Sequence, residues 1–109
     1  MLNEIAEEAG VSVEVQESQV PISGSVAAAC EILGLDPLYV ACEGRLVAFV
    51  PGDQAARALE ALRSLPEGEG AACIGLVGDG PKGRVTLRTA LGTQRLLDLL
   101  SGEQLPRIC

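Results

Sequence analysis

A chain of 109 residues with 48% hydrophobic content has room for one domain with a modest core and too much apolar character for a disordered segment. One Phe, one Tyr and no Trp mean that this core is built from Ala, Val, Leu and Ile. A formal net charge of −7 argues against nucleic acid, whose phosphates it would repel, and no apolar run is long enough to cross a bilayer.

Leu2, Ile5, Ala6 and Ala9 recur at helical spacing with Glu4, Glu7 and Glu8 opposite, which predicts a helix over 2–9 that Gly10 stops. This helix has no convincing N-cap and reads as one cut into. Its glutamates also exclude a secretory signal, which needs a basic start and an apolar middle. Strict alternation in "VSVEVQ" predicts a strand over 11–16 with Val11, Val13 and Val15 inward. Beyond Pro21, Ser23 or Ser25 is placed to cap a second helix over 25–33, and Gly34 to end it.

"LDPLY" is a turn. "YVAC", "EGR" and "LVAFV" then have the form of a β-hairpin about Glu43 and Gly44, with strands over Tyr39–Cys42 and Leu46–Val50. Pro51 and Gly52 break the second strand. Asp53 suits the N-cap of a helix over 54–64, whose apolar side is Ala55, Ala58, Leu59 and Leu62. "LPEGEG" is a loop, and "AACIGLVG" reads as a buried strand over 71–77. "DGPKG" turns the chain into "RVTLRT" at 84–89, with Val85 and Leu87 facing one way and Arg84, Thr86 and Arg88 the other. "ALG" reverses it once more into "QRLLDLL". Leu96, Leu99 and Leu100 there also fit a short helix, but the need of "RVTLRT" for a partner favours a strand. The order predicts an α+β domain over residues 1–100, a largely antiparallel or mixed sheet covered by helices, followed by a flexible tail at 101–109.

Charge is unevenly spread. Residues 1–44 hold eight acids and no Lys or Arg, whereas from Lys82 onward Lys82, Arg84, Arg88, Arg95 and Arg107 face only Asp98 and Glu103. This makes either two solvated faces of opposite sign or a dipolar surface that orients the tail toward a partner. Of four cysteines, Cys30, Cys42 and Cys73 lie in apolar stretches and read as small buried hydrophobes. With no C-x-x-C pair and no His, zinc is not suggested. "GLVGDGPKGR" fails as a phosphate loop because Pro81 interrupts it and Gly83, not Ser or Thr, follows Lys82. No magnesium-binding cluster is recognisable, so this chain alone is expected neither to bind ATP tightly nor to hydrolyse it.

The tail differs from everything before it. Pro106 fixes φ and removes a donor, Arg107 carries a planar charge suited to carboxylate or phosphate, and Ile108 offers an apolar anchor. Cys109 then places a nucleophile on a segment able to leave the body of the protein: a tethered thiol that can be loaded in one place and reacted in another. It is not a C-a-a-X prenylation signal, since the Cys is last rather than fourth from the end.

"SGEQLPRIC", together with "LNEIAEEAG", "ACEILGLDPLYVACEGRLVAFVP" and "RVTLRTALGTQRLLDLL", resembles the C-terminal part of the HypE family of hydrogenase expression/formation proteins. The resemblance covers essentially the whole chain. It implies part of the C-terminal domain of the aminoimidazole ribonucleotide synthetase-like fold. It also implies a role in making the cyanide ligands of [NiFe]-hydrogenases. Cys109 would accept a carbamoyl group from a HypF-type carbamoyltransferase, with Pro106, Arg107 and Ile108 delivering it. A complete family member, using ATP and Mg, would dehydrate that group to a thiocyanate whose cyano group passes to iron on a HypC–HypD complex. Family members are roughly three times longer, and their ATP-site acids have no counterparts here. With no spanning run and no secretory signal the chain is expected to be soluble and cytoplasmic; as part of a longer family member it is expected to be inactive by itself, and a homodimer or higher assembly through apolar surface the missing part would cover. A different class of reading also stands: a self-contained α+β interaction module whose cysteine matters only for packing or redox chemistry.

Overall fold

The computed structural model of the chain describes residues 1–39 and 45–97. These form two compact units, Met1–Pro21 with the stretch from Gly52 onward, and one built around Ile22–Pro51.

The first unit is a sheet with a helix on it. Helix α1 (Leu2–Ala9) starts at Met1 without a side-chain cap and ends at Gly10, whose φ of 73° lets its own amide reach the Glu7 carbonyl and the Val11 amide the Ala6 carbonyl. Strand β1 (Ser12–Gln16) follows at once. Strands β2 (Gly75–Gly78), β3 (Val85–Arg88) and β4 (Gln94–Leu96) complete the sheet, in the order β2-β1-β3-β4. β1 runs antiparallel to β2 and parallel to β3, and β3 antiparallel to β4. The sheet is therefore mixed, and the expected α+β class holds.

Alternation does what it should on the two central strands. Val13 pairs with Val85 and Val15 with Leu87, and all four are buried together with Ala6 of α1 and Leu97. Leu87 is fully enclosed. Burying each such side chain contributes about 1.5–3 kcal/mol, so this small aliphatic layer is the main source of stability in the unit.

The opposite face is polar, tied together by Glu14. Its Oε1 accepts from Arg88 Nε at 3.3 Å and Gln16 Nε2 at 3.2 Å, and its Oε2 from Gln94 Nε2 at 2.9 Å. Helix α3 (Ala55–Arg63) turns its predicted side inward: Ala55, Ala58, Leu59 and Leu62 are half-buried and its other residues exposed. Asp53 is not its cap. It lies in a 3-10 turn, Gly52–Gln54, and Gln54 precedes the helix with no side-chain cap bond.

Two expectations about apolar stretches fail. The regular strand in "AACIGLVG" covers only Gly75–Gly78 and is an edge, with Leu76 71% and Val77 51% exposed. It has a neighbour on one side alone, so its outer backbone edge is unpaired and its side chains lack neighbours on that side. In the second unit Leu46–Val50 is irregular chain rather than a strand, and Leu46 is 78% exposed. Of the matching arm over Tyr39–Cys42, Tyr39 sits in a turn with its amide on the Asp36 carbonyl at 2.9 Å, and the remainder lies outside the described residues.

Helix α2 (Gly24–Leu33) is as predicted at both ends. The Ser23 hydroxyl accepts from the Val26 amide at 3.3 Å, and Gly34 closes the helix at φ 70°. Among the described residues, no helix is long and apolar enough to cross a membrane.

Candidate functional site

Cys109, Pro106, Arg107 and Ile108 lie outside the described residues, as does Cys42. What is described is the chain as far as Leu97. After β3, Gly92 at φ 88° and the Thr89 amide bonded to the Thr93 carbonyl at 2.7 Å reverse the chain, and the two threonine hydroxyls meet at 2.6 Å. The following strand β4 ends against β3. There the Leu97 amide donates to the Val85 carbonyl at 2.8 Å, and the side chain is 8% exposed. The Leu97 carbonyl accepts from Asn3 Nδ2 on α1 at 2.5 Å. Leu97 is thus held through its amide, its carbonyl and its side chain.

Asn3 was not singled out by the sequence reading, although a signal existed. It lies three residues before Ala6, on the side of α1 that packs inward, and a polar residue there needs a partner. The Glu14 cluster was missed for a different reason: its members come from β1, β3 and β4, which only the fold brings together.

The glycine-rich loop between β2 and β3 does not fit a phosphate. It passes the start of β1, where the Gly80 amide donates to the Ser12 hydroxyl at 3.0 Å and the Gly83 amide to the Val11 carbonyl at 2.9 Å. Those amides are spent within the protein. Gly83 holds φ 80°, and an added Cβ would meet Glu7 Cα at 3.4 Å, so its glycine serves the turn. Among the described residues no group of three or more His, Cys, Asp or Glu could hold a metal ion. Cys30 is buried, whereas Cys73 is exposed, against expectation: it precedes an edge strand instead of lying inside a covered one.

Comparison with known proteins bears on the residues that follow Leu97 in sequence. A carbamoyl dehydratase HypE from Rhodobacter capsulatus is 54% identical over 108 residues, 99% of this chain and 32% of that protein. The chain thus spans about a third of the length of the curated relatives it matches. A crystal structure of hydrogenase maturation protein HypE in complex with ATP matches with a TM-score of 0.89 and 47% identity, over 99% of this chain and 33% of that one. A crystal structure of a HypE–HypF complex matches with a TM-score of 0.83 and 40% identity, over 89% of this chain and 31% of that one. Residues 1–88, which include α1 and the two central strands β1 and β3 packed against it, match the model of the AIR synthase related protein, C-terminal domain, and the chain belongs to that family.

Proposed function

We propose that this chain is the carbamoyl-accepting part of a carbamoyl dehydratase of the HypE kind, with Cys109 as the acceptor. A carbamoyltransferase of the HypF kind transfers the carbamoyl group to the Cys109 sulfur, which loses its proton as the S–C bond forms. ATP then drives removal of the thiocarboxamide oxygen, which leaves on phosphate, and the resulting S–C≡N passes its cyano group to iron held by a HypC–HypD complex. Pro106, Arg107 and Ile108 present the thiol: a fixed φ, a charge for an anionic contact and an apolar anchor.

The observation that carries this reading is 54% identity with a carbamoyl dehydratase HypE over 108 of this chain's 109 residues, a match that reaches at least Ile108. The anchored Leu97 adds physical support. Cys109 lies twelve positions beyond it, and at about 3.5 Å per extended residue an arm of that length reaches at most about 40 Å. We assign ATP and Mg to the part of the relatives that this chain does not span; the engagement of the Gly80 and Gly83 amides within the protein supports that reading. A thiol with this duty needs a reducing compartment, which places the protein in the cytoplasm.

The test is intact-mass and peptide mapping after incubation with a HypF-kind carbamoyltransferase, carbamoyl phosphate and ATP. One carbamoyl group on Cys109 is expected. Modification of the exposed Cys73, or a Cys109→Ala chain that is still modified, would overturn the assignment.

A further inference from the structure

We propose that strand β2 pairs edge to edge with β2 of a second copy of this chain, antiparallel about a two-fold axis centred on Gly75. This stands apart from the acceptor role of Cys109. The sheet's two edges are unlike. β4 carries Arg95 at its middle, a charge that discourages strand addition, whereas no charged residue lies between Gly70 and Gly78.

The ladder decides which groups of β2 face out. The Val13 amide donates to the Arg84 carbonyl at 2.9 Å, so Val13 and Val15 bond toward β3, and Ser12, Glu14 and Gln16 toward β2. The Gln16 amide meets the Ile74 carbonyl at 2.8 Å, in the same phase. Along an antiparallel strand, residues alternate between bonding to one side and to the other. Ile74, Leu76 and Gly78 therefore spend their amides and carbonyls on β1, while Cys73, Gly75 and Val77 turn theirs outward. Among the described residues these outward groups meet only the Cys73 thiol, 4.0 Å from the Gly75 carbonyl.

A second copy has to bring outward groups to outward groups, which leaves registers centred on Gly75, Leu76 or Val77. Charge and cover select the first. Arg63 Nε donates to the Ala71 carbonyl at 3.0 Å on an exposed surface, which holds a guanidinium at one end of the strand, and Asp79 is exposed at the other. Neither is in an ion pair among the described residues. With Gly75 at the centre, Asp79 of each copy lies opposite Ala71 of the other, beside Arg63, and the two-fold makes this junction twice. The same register sets Leu76 opposite Ile74 and Val77 opposite Cys73, giving the exposed apolar side chains apolar neighbours. An unrelated strand would satisfy the backbone without a carboxylate and a guanidinium at these two ends, so the edge is complementary to itself.

Sedimentation equilibrium should show a concentration-dependent dimer of the chain. Val77→Pro removes an outward amide from each copy and no bond to β1, so it should raise the dimer's Kd at least about tenfold. Hydrogen exchange at the Leu76 and Gly78 amides should keep its protection. Asp79→Arg and Arg63→Asp each set like charges at both junctions and should each weaken the dimer about tenfold. An equimolar mixture of these two variants, in which both junctions again join opposite charges, should recover most of the affinity. Under mild oxidation Val77→Cys should form a disulfide from the introduced thiol to Cys73 of the other copy, because opposed residues in a hydrogen-bonded pair have Cα atoms about 5.5 Å apart. Within one chain the two positions are four residues apart on extended chain, out of reach. If Val77→Pro loses its protection, the charge mixture and the disulfide decide, since both leave the β1 ladder intact. A monomer at every concentration overturns the proposal. So does a dimer that gains nothing from mixing the charge variants and forms no linkage to Cys73.

Discussion

The two central strands and two other apolar stretches of the chain are nearly alike as sequence and unlike as structure. "VSVEVQ" and "RVTLRT" become β1 and β3, whose inward Val13, Val15, Val85 and Leu87 are enclosed between α1 and neighbouring strands. "AACIGLVG" and "LVAFV" carry at least as much apolar character. Yet the first is an exposed edge strand only from Gly75 to Gly78, and the second is irregular chain. The difference lies in pairing on both sides and a helix overhead. A hydrophobic run expresses a need for cover, and whether the cover exists is decided elsewhere in the chain.

The sharpest way to break that comparison is to make the same change on each side of it. Leu87→Ala empties a fully enclosed site and should cost about 2–5 kcal/mol, read as a fall in the denaturant midpoint at constant slope. Leu76→Ala, at 71% exposure, should stay within about 0.5 kcal/mol. Equal losses at the two sites would mean that Leu76 is covered in solution.

The edge strand has one tight position, where the next largest effect is expected. An ideal Cβ on Gly75 would stand 2.2 Å from the Glu14 carbonyl oxygen, so Gly75→Ala has to push β2 away from β1. Overpacking of this kind costs about 1–3 kcal/mol. Hydrogen exchange should show the loss first at the Gln16 amide, which donates to the Ile74 carbonyl at 2.8 Å. A variant as protected as the parent there would show that β2 relaxes freely.

Local signals were legible and non-local ones were not. Gly10 and Gly34 end their helices in the left-handed conformation because a short-range pattern names them, and Ser23 caps α2 for the same reason. The inward sides of β1, β3 and α3 could be read because periodicity is also local. The parallel pairing of β1 with β3 could not, since some seventy residues intervene and alternation carries no partner's name. Asp53 misled because a good capping residue beside Gly52 entered a 3-10 turn first. The C-terminal residues stood out through unusual types at Pro106, Arg107 and Cys109, while the Asn3–Leu97 contact needed the fold to become visible.

Uncovered apolar surface should also show itself in association. Ile32, Leu46, Leu76 and Leu91 are all more than two-thirds exposed, well beyond what isolated surface positions need. Light scattering is expected to find a dimer or larger assembly at high concentration. Leu76→Lys, which puts a charge on an unguarded edge strand, should weaken it about tenfold, near 1.4 kcal/mol. A monomer at every concentration would mean that these side chains are shielded within one chain.

The smallest effect belongs to the polar face, where geometry invites overstatement. Glu14 gathers Arg88, Gln16 and Gln94, but the ion pair is 3.3 Å long with its side chains 41% and 32% exposed. Water competes for both charges, and exposed pairs of this sort contribute about 0.2–1 kcal/mol. A double-mutant cycle with Glu14→Gln and Arg88→Gln isolates the pairwise part, because each change removes a charge while keeping a hydrogen-bonding head of similar reach. The coupling should sit in that range and shrink as salt is raised through the concentrations at which surface charges are screened. A coupling well above it that resists salt would mean that the face is covered when the protein folds in solution, by another copy or by the rest of a longer chain. The polar side of the sheet would then belong with the enclosed layer beneath α1 and no longer with the exposed edge.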